Sequence, residues 1–196
     1  MMILKLETLR INTTILISPF LKKVDLNNTV KAAVFSATAI GLGYMFLMVP
    51  NVEFISVTIF LSGLTLGIFW GAFVGGSSIM VYSVLNPLGS GLAFLPLLLG
   101  QIVAMIGIGV AGATIGKLLI KLQLKLMIIF SALTGFLCTL WYDLITTVAF
   151  PISAGYDFHE IIIYSISGII FTLMHLISNS IIFMIVIPGY KKRLPH

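Results

Sequence analysis

The sequence predicts an all-α integral membrane protein, a compact bundle of six transmembrane helices with both termini in the cytoplasm. Of the 196 residues, 59% are hydrophobic and only 9% are charged, whereas a soluble domain carries about 25% charged residues. All eleven Lys and Arg fall within three short regions, 5–31, 117–125 and 191–193. Because basic clusters flank membrane spans on the cytoplasmic side, an even number of crossings must separate each pair of clusters.

The N-terminal segment is predicted to be a short amphipathic helix that lies on the cytoplasmic membrane surface. Its apolar stretch "ILISPFL" contains Pro19 and lacks a small-residue cleavage site, so it does not fit a cleaved signal peptide. Lys22 and Lys23 would face anionic headgroups. The alternative is an unstructured tail. The predicted parts of the chain are an interfacial segment, the membrane domain and a basic tail: 1–30, 31–190 and 191–196.

The next three apolar runs are 32–49, 53–85 and 92–116. The run 53–85 is too long for one span, because a helix of this length reaches about 50 Å where about 30 Å of hydrocarbon must be crossed. We therefore predict two short helices, 53–66 and 69–85, joined by a tight cytoplasmic turn near Gly67. The alternative is one long, tilted helix and a total of five spans.

The last two predicted spans are 126–149 and 161–187. Between them lies "FPISAGYDFHE" (150–160), a polar and acidic break that we place on the outer side. These two crossings return the chain to the third basic cluster. The total is then six helices.

Small residues recur on one face of the first predicted helix. Ala33 and Ala37 stand four residues apart near its cytoplasmic end. Small residues let helix backbones approach closely in lipid, so this face either packs inside the bundle or docks another membrane protein. The stretch "GATIGKL" does not match a phosphate-binding loop, and no other ATP-binding motif is found. The chain is not expected to be energised by its own nucleotide site.

Polar residues inside predicted spans are costly, and they usually face a bundle interior or a cavity. The topology places most of them in the outer half of the membrane, beneath the outer break "NPLGSG". The candidate substrate-binding residues are Asn86, Gln101, Trp141, Tyr142, Asp143 and His175. We predict no catalytic residue, metal ligand or cofactor.

Each candidate also has a structural interpretation. Asp143, the only acidic residue well inside a predicted span, either contacts a ligand or reaches water at a helix end. Gln101 is expected to hydrogen-bond between helices, and His175 with Asn179, one turn later, to do the same. Trp141 and its neighbour are either interfacial aromatics or the aromatic wall of a site for a flat ligand.

These features resemble the S components of energy-coupling-factor (ECF) vitamin transporters over residues 30–190. The resemblance rests on six short helices, the Ala33-x-x-x-Ala37 motif, the glycine-rich "GLTLGIFWGAFVGG" (63–76) and an outer loop before the fourth helix. It implies a substrate-binding subunit that captures a vitamin or related small molecule from outside. It also implies that Ala33 and Ala37 dock a transmembrane coupling subunit that bridges to two ATPases.

The resemblance places the chain in the plasma membrane of a prokaryote and makes it a non-enzyme. No residue pattern identifies the substrate. Two other classes stay open: a membrane-embedded enzyme that uses Asp143 and His175, and a structural or assembly protein of the membrane. Nucleic acid is not an expected partner, because the basic residues behind the net charge of +5 flank the predicted spans.

Overall fold

The computed structural model describes residues 26–193, and all regular secondary structure within this range is helical. The chain divides into two compact units, Met1–Val30 and Lys31–His196, and residues 1–25 of the predicted N-terminal surface helix lie outside the described range. The described α-helices are α1 (Leu26–Met45), α2 (Ile55–Leu66), α3 (Ile68–Val84), α4 (Leu95–Leu119), α5 (Leu124–Ser153), α6 (Phe158–Ser167) and α7 (Ile169–Lys191). A single 3-10 turn, Gly91–Ala93, precedes α4.

The long apolar run is two helices, as predicted, and Gly67 divides them. Its φ of 90° lies in the left-handed region, which glycine adopts readily and other residues avoid. Its backbone N–H still donates to the Gly63 carbonyl, which closes the last turn of α2. The chain then reverses direction and begins α3 at the next residue.

Helices α2, α3 and α4 pack closely together because glycines, which have no side chain, lie at their contact. Gly63 of α2 and Gly71 of α3 lie four residues either side of the break, and a Cβ at Gly71 would stand only 2.6 Å from the Cα of Gly63. Both glycines also face the backbone of Gly109 in α4. Such close approach maximises van der Waals contact between helices, which is a main source of association energy in lipid.

Glycines also fix the direction in which α4 runs. Gly71 meets Gly109, while Gly75, further along α3, meets Met105, earlier in α4. The two helices are therefore antiparallel. A buried core lies beside this contact, where the rings of Phe60 and Phe183 are 5.4 Å apart in an edge-on arrangement.

The predicted outer break at 150–160 is shorter in the structure. Helix α5 includes Pro151 and ends at Ser153, and α6 begins at Phe158. Asp157 and Glu160 form a capping box, in which each side chain accepts a hydrogen bond from the other residue's backbone N–H. Gly168 separates α6 from α7 with nearly helical angles, φ −84° and ψ −3°, so no loop intervenes.

Three of the described helices are long and apolar enough to cross a membrane: α4, α5 and α7, with mean hydropathies of 2.0, 1.8 and 2.2. Helices α2 and α3 are apolar but shorter. At 1.5 Å per residue, α2 is about 18 Å long, which is less than the hydrocarbon thickness. The three long helices α4, α5 and α7, together with the many exposed Leu, Ile and Phe side chains, indicate a membrane protein. Six spans with cytoplasmic termini stay a prediction.

Candidate functional site

A cavity of about 250 Å³ lies beside the connection between α1 and α2. This connection, residues 46–54, covers it, and helices α3, α4, α5 and α7 supply the walls. Apolar side chains such as Ile79 and Met105 line part of the cavity. The polar side chains that line it are Asn51, Glu53, Tyr82, Tyr142 and His175.

Asp143 and His175, two predicted site residues, are in direct contact. Nδ1 of His175 lies 2.8 Å from Oδ1 of Asp143, a hydrogen bond that joins α5 to α7. Both side chains are largely buried, with exposed fractions of 14% for His175 and 12% for Asp143. The second carboxylate oxygen of Asp143 is buried and has no hydrogen-bond partner in the described part of the protein.

Asn179 joins this pair to a second carboxylate. Its Nδ2 donates to Oε1 of Glu53 at 3.1 Å and lies 3.0 Å from Nε2 of His175. Because a carboxylate only accepts, the amide must present its NH2 group, and Nε2 must then be an acceptor. The proton of a neutral imidazole therefore sits on Nδ1 and points to Asp143.

Glu53 is a site residue that the sequence interpretation missed. It comes just before α2, where its carboxylate accepts hydrogen bonds from the backbone N–H and the hydroxyl of Ser56. Between Lys31 and Lys117 it is the only charged residue of the chain. That isolation was the available signal, but the sequence places Glu53 only at the first residue of the predicted helix 53–66, 126 positions from Asn179.

Two tyrosines form the aromatic part of the cavity wall. The Tyr142 ring stands edge-on to the imidazole of His175, with centroids 6.2 Å apart, and Tyr142 also interacts with the side chain of Gln101. Gln101 accepts a hydrogen bond of 2.6 Å from Ser83, so this amide supports the wall from behind. Tyr82 stacks obliquely on Tyr44 at 5.0 Å.

Four predicted site residues do not line the cavity: Asp143 and Gln101 lie behind its wall, and the other two lie elsewhere. Trp141 lies on another face of α5, 47% exposed, with its indole N–H donating to the Ala104 carbonyl at 3.2 Å. It borders a separate apolar groove that also includes Gly107 and Cys138. Asn86 lies in the loop after α3, where its side chain accepts from the Leu88 backbone N–H. Of the two adjacent aromatic residues predicted as a wall, Tyr142 lines the cavity and Trp141 does not.

The predicted docking residues are on the surface of α1. Ala33 and Ala37 are exposed, whereas Ala32 and Ala39 on the opposite side of the helix are buried. The exposed pair therefore does not pack inside the Lys31–His196 unit. Within residues 26–193, no group of three or more His, Cys, Asp and Glu side chains is placed to hold a metal ion.

The fold and site together define an all-helical protein with membrane-compatible spans and a polar, partly enclosed cavity. No known family model, curated protein or solved structure matches this chain.

Proposed function

We propose that this chain is the substrate-capturing membrane subunit of an ECF-type transporter, acting in the plasma membrane of a prokaryote. The observation that carries the proposal is the cavity bounded by Glu53, Tyr142 and His175. Small-molecule sites combine mostly apolar walls with a few fixed polar groups, and this cavity has that composition. Buried polar networks that link helices are costly unless they serve a role, which favours a binding site over a purely structural bundle.

The connection 46–54 is the natural cover of the site. It contributes Phe46, Val49 and Asn51 to the cavity lining, and the Ser178 hydroxyl of α7 donates to the Asn51 carbonyl. Asn51 has a φ of 58°, the only positive φ of a non-glycine residue between 26 and 193. In this proposal, displacement of the connection admits substrate from outside, and its return excludes water.

The surface around Ala33 and Ala37 is the proposed contact with a transmembrane coupling subunit, which bridges to two ATPases. Two exposed alanines one helical turn apart let a partner helix approach closely. Transport energy would come from those subunits, since this chain has no ATP-binding motif of its own.

Tryptophan at either alanine tests the docking surface. We expect Ala33→Trp and Ala37→Trp to abolish co-purification with the coupling subunit and uptake, because the bulky ring keeps the helices apart, while ligand binding by the isolated chain survives. Ala154→Trp, at an exposed alanine in the turn after α5, is the matched control and should still assemble. Loss of ligand binding in both α1 variants would instead show that this face supports the fold.

A membrane-embedded enzyme is the second candidate. The Asp143 carboxylate is hydrogen-bonded to Nδ1 of His175, which is the arrangement that makes a histidine a general base. In that arrangement Nε2 accepts the substrate proton. Here Nε2 already accepts from Asn179. The geometry therefore favours binding over catalysis. An assay for hydrolysis of ester or amide probes by the purified chain would decide, and turnover that is lost in His175→Ala would favour the enzyme.

A further inference from the structure

The cavity contains negative charge that the described residues do not balance. Glu53 lines it, and Asp143 lies directly behind His175. With both carboxyl groups ionised, the site carries two negative charges when the imidazole is neutral and one when it is protonated. No Lys or Arg among residues 26–193 lines the cavity. A net negative site within apolar helices is expensive unless a cation enters it.

The carboxylate of Glu53 is held ready for such a partner. Three hydrogen bonds reach it, two from Ser56 and one from Asn179. A carboxylate offers about four acceptor positions, so one remains for a ligand. These donors hold the carboxylate in a fixed orientation.

The neighbouring groups fit a nitrogen cation attached to a flat, apolar body. The Tyr82 and Tyr142 rings line the same cavity as Glu53, and aromatic faces attract cations as well as planar rings. One amide atom of a residue that lines the cavity, Nδ2 of Asn51, has no partner in the described range. The site thus offers ionic, aromatic and amide contacts within one small volume.

We infer that the molecule captured by this cavity is an organic cation, with a protonated or quaternary nitrogen paired to Glu53 and an apolar ring against the tyrosines. This inference rests on the proposed function and adds the substrate class. An anionic substrate would meet like charge from Glu53 and is rejected. A bare divalent metal ion is not favoured, because the described carboxylates and imidazole do not converge on one point.

Three probes of nearly equal shape test the inference: benzylamine, benzyl alcohol and benzoate, which are cationic, neutral and anionic at pH 7. Each is titrated at millimolar concentration into the purified full chain in detergent, and the shift in melting temperature is measured. We expect benzylamine to raise the melting temperature, and the other two to have little effect. Glu53→Gln should weaken benzylamine binding about ten- to a hundredfold.

Glu160→Gln is the matched control. It makes the same chemical change at an exposed capping residue away from the cavity, and a Gln still satisfies the capping box. Benzylamine binding should be unchanged. If the Glu53 variant does not fold, the order of the three probes on the unaltered chain still decides the question.

The inference is overturned if benzoate or benzyl alcohol binds as tightly as benzylamine, if none of the probes binds, or if Glu53→Gln binds benzylamine normally. Its failure is separable from failure of the proposed function. Co-purification with a coupling subunit through the Ala33 surface does not depend on the ligand's charge. A chain that assembles there but prefers benzoate retains the proposed function and loses the cationic substrate.

Discussion

Asn179 is the residue on which the polar site depends, although it does not itself line the cavity. Its single NH2 group joins Glu53, on the connection before α2, to His175 on its own helix. Without Asn179, the Glu53 carboxylate and Nε2 of His175 would lose their shared hydrogen-bond donor. A buried polar group left without a partner lowers the free energy of unfolding by about 1–3 kcal/mol. Asn179, one turn after His175, therefore helps to orient both groups, together with Ser56 at Glu53 and Asp143 at His175.

Adjacent aromatic residues on α5 give a test of which helix face meets the ligand. Tyr142 lines the cavity, whereas Trp141 points into the separate groove. We expect Tyr142→Ala to weaken benzylamine binding at least about tenfold, through lost contact with the ring and with His175. Trp141→Ala should keep the affinity within a factor of about two. Calorimetric titration of both variants measures this directly.

The reverse pattern, with binding lost in Trp141→Ala and kept in Tyr142→Ala, would place the ligand in the groove. It would also restore the interpretation of Trp141 as an aromatic wall.

At this scale the sequence located about half of the site. Asp143 and His175 were recognisable because isolated polar residues in apolar segments are conspicuous, and their contact follows once α5 and α7 pack side by side. Glu53 was not recognisable from the sequence. Its hydrogen bond with Asn179 joins residues 126 positions apart, and no local pattern encodes such a contact. Trp141 and Tyr142 were both predicted, but successive residues of a helix point about 100° apart, and only Tyr142 lines the cavity.

Among the helices, the contact of α2, α3 and α4 is the tightest. A methyl group added at Gly109 would overlap the carbonyl oxygen of Gly71, and one added at Gly63 would overlap the carbonyl oxygen of Gly109. Backbone atoms cannot rotate away as a side chain can. The three helices are therefore in direct main-chain contact, and even the smallest side chain would have to separate them.

Gly109→Ala tests this contact. Overpacking typically costs about 1–3 kcal/mol, and we expect a loss of that size in the free energy of unfolding in detergent. Gly41→Ala is the control, since a Cβ there would meet nothing within 4 Å. In an exposed helix this change should be neutral or stabilise by up to about 1 kcal/mol. Equal stability of both variants would show that the helices adjust without cost.

Element boundaries were largely readable from the sequence, and the exceptions have local causes. The division at Gly67 was predicted from length and glycine content alone. The break at 150–160 was drawn too wide, because Asp157 and Glu160 were taken as loop residues when they cap α6. The separation of α6 from α7 was not predicted, since Gly168 keeps nearly helical angles and leaves no polar signal.

At the scale of the whole molecule, the sequence makes a prediction about the number of membrane crossings. Helices α4, α5 and α7 have the length and hydropathy to span. The hairpin of α2 and α3 turns back at Gly67, so its two short helices either cross the membrane or enter and leave from one side. The basic clusters exclude a single long helix here, because three crossings would leave Lys117 outside, whereas a hairpin adds two crossings or none and returns Lys117 to the cytoplasm in either case.

Cysteine labelling tests on which side of the membrane three of the connections lie. In a background without the free, buried Cys138, single cysteines are placed at Ser90, Ala154 and Gln123. In intact cells, an impermeant thiol reagent should label the first two, which lie in the predicted outer turns, and spare the third, which precedes α5. Labelling at Gln123 from outside would contradict the six-span arrangement.

The glycine contact also sets which parts of the molecule are able to move. Helices in direct backbone contact cannot slide past one another, because the carbonyl groups of one helix would collide with the Cα atoms of the other. Met105 and Ile79, on two of these helices, line the cavity. This wall of the cavity is therefore rigid. Two hydrogen bonds join the 46–54 connection to α7: Ser178 donates to the Asn51 carbonyl, and Asn179 donates to the Glu53 carboxylate. In the proposed function, a molecule would therefore enter by displacement of this connection, without rearrangement of the glycine-packed helices.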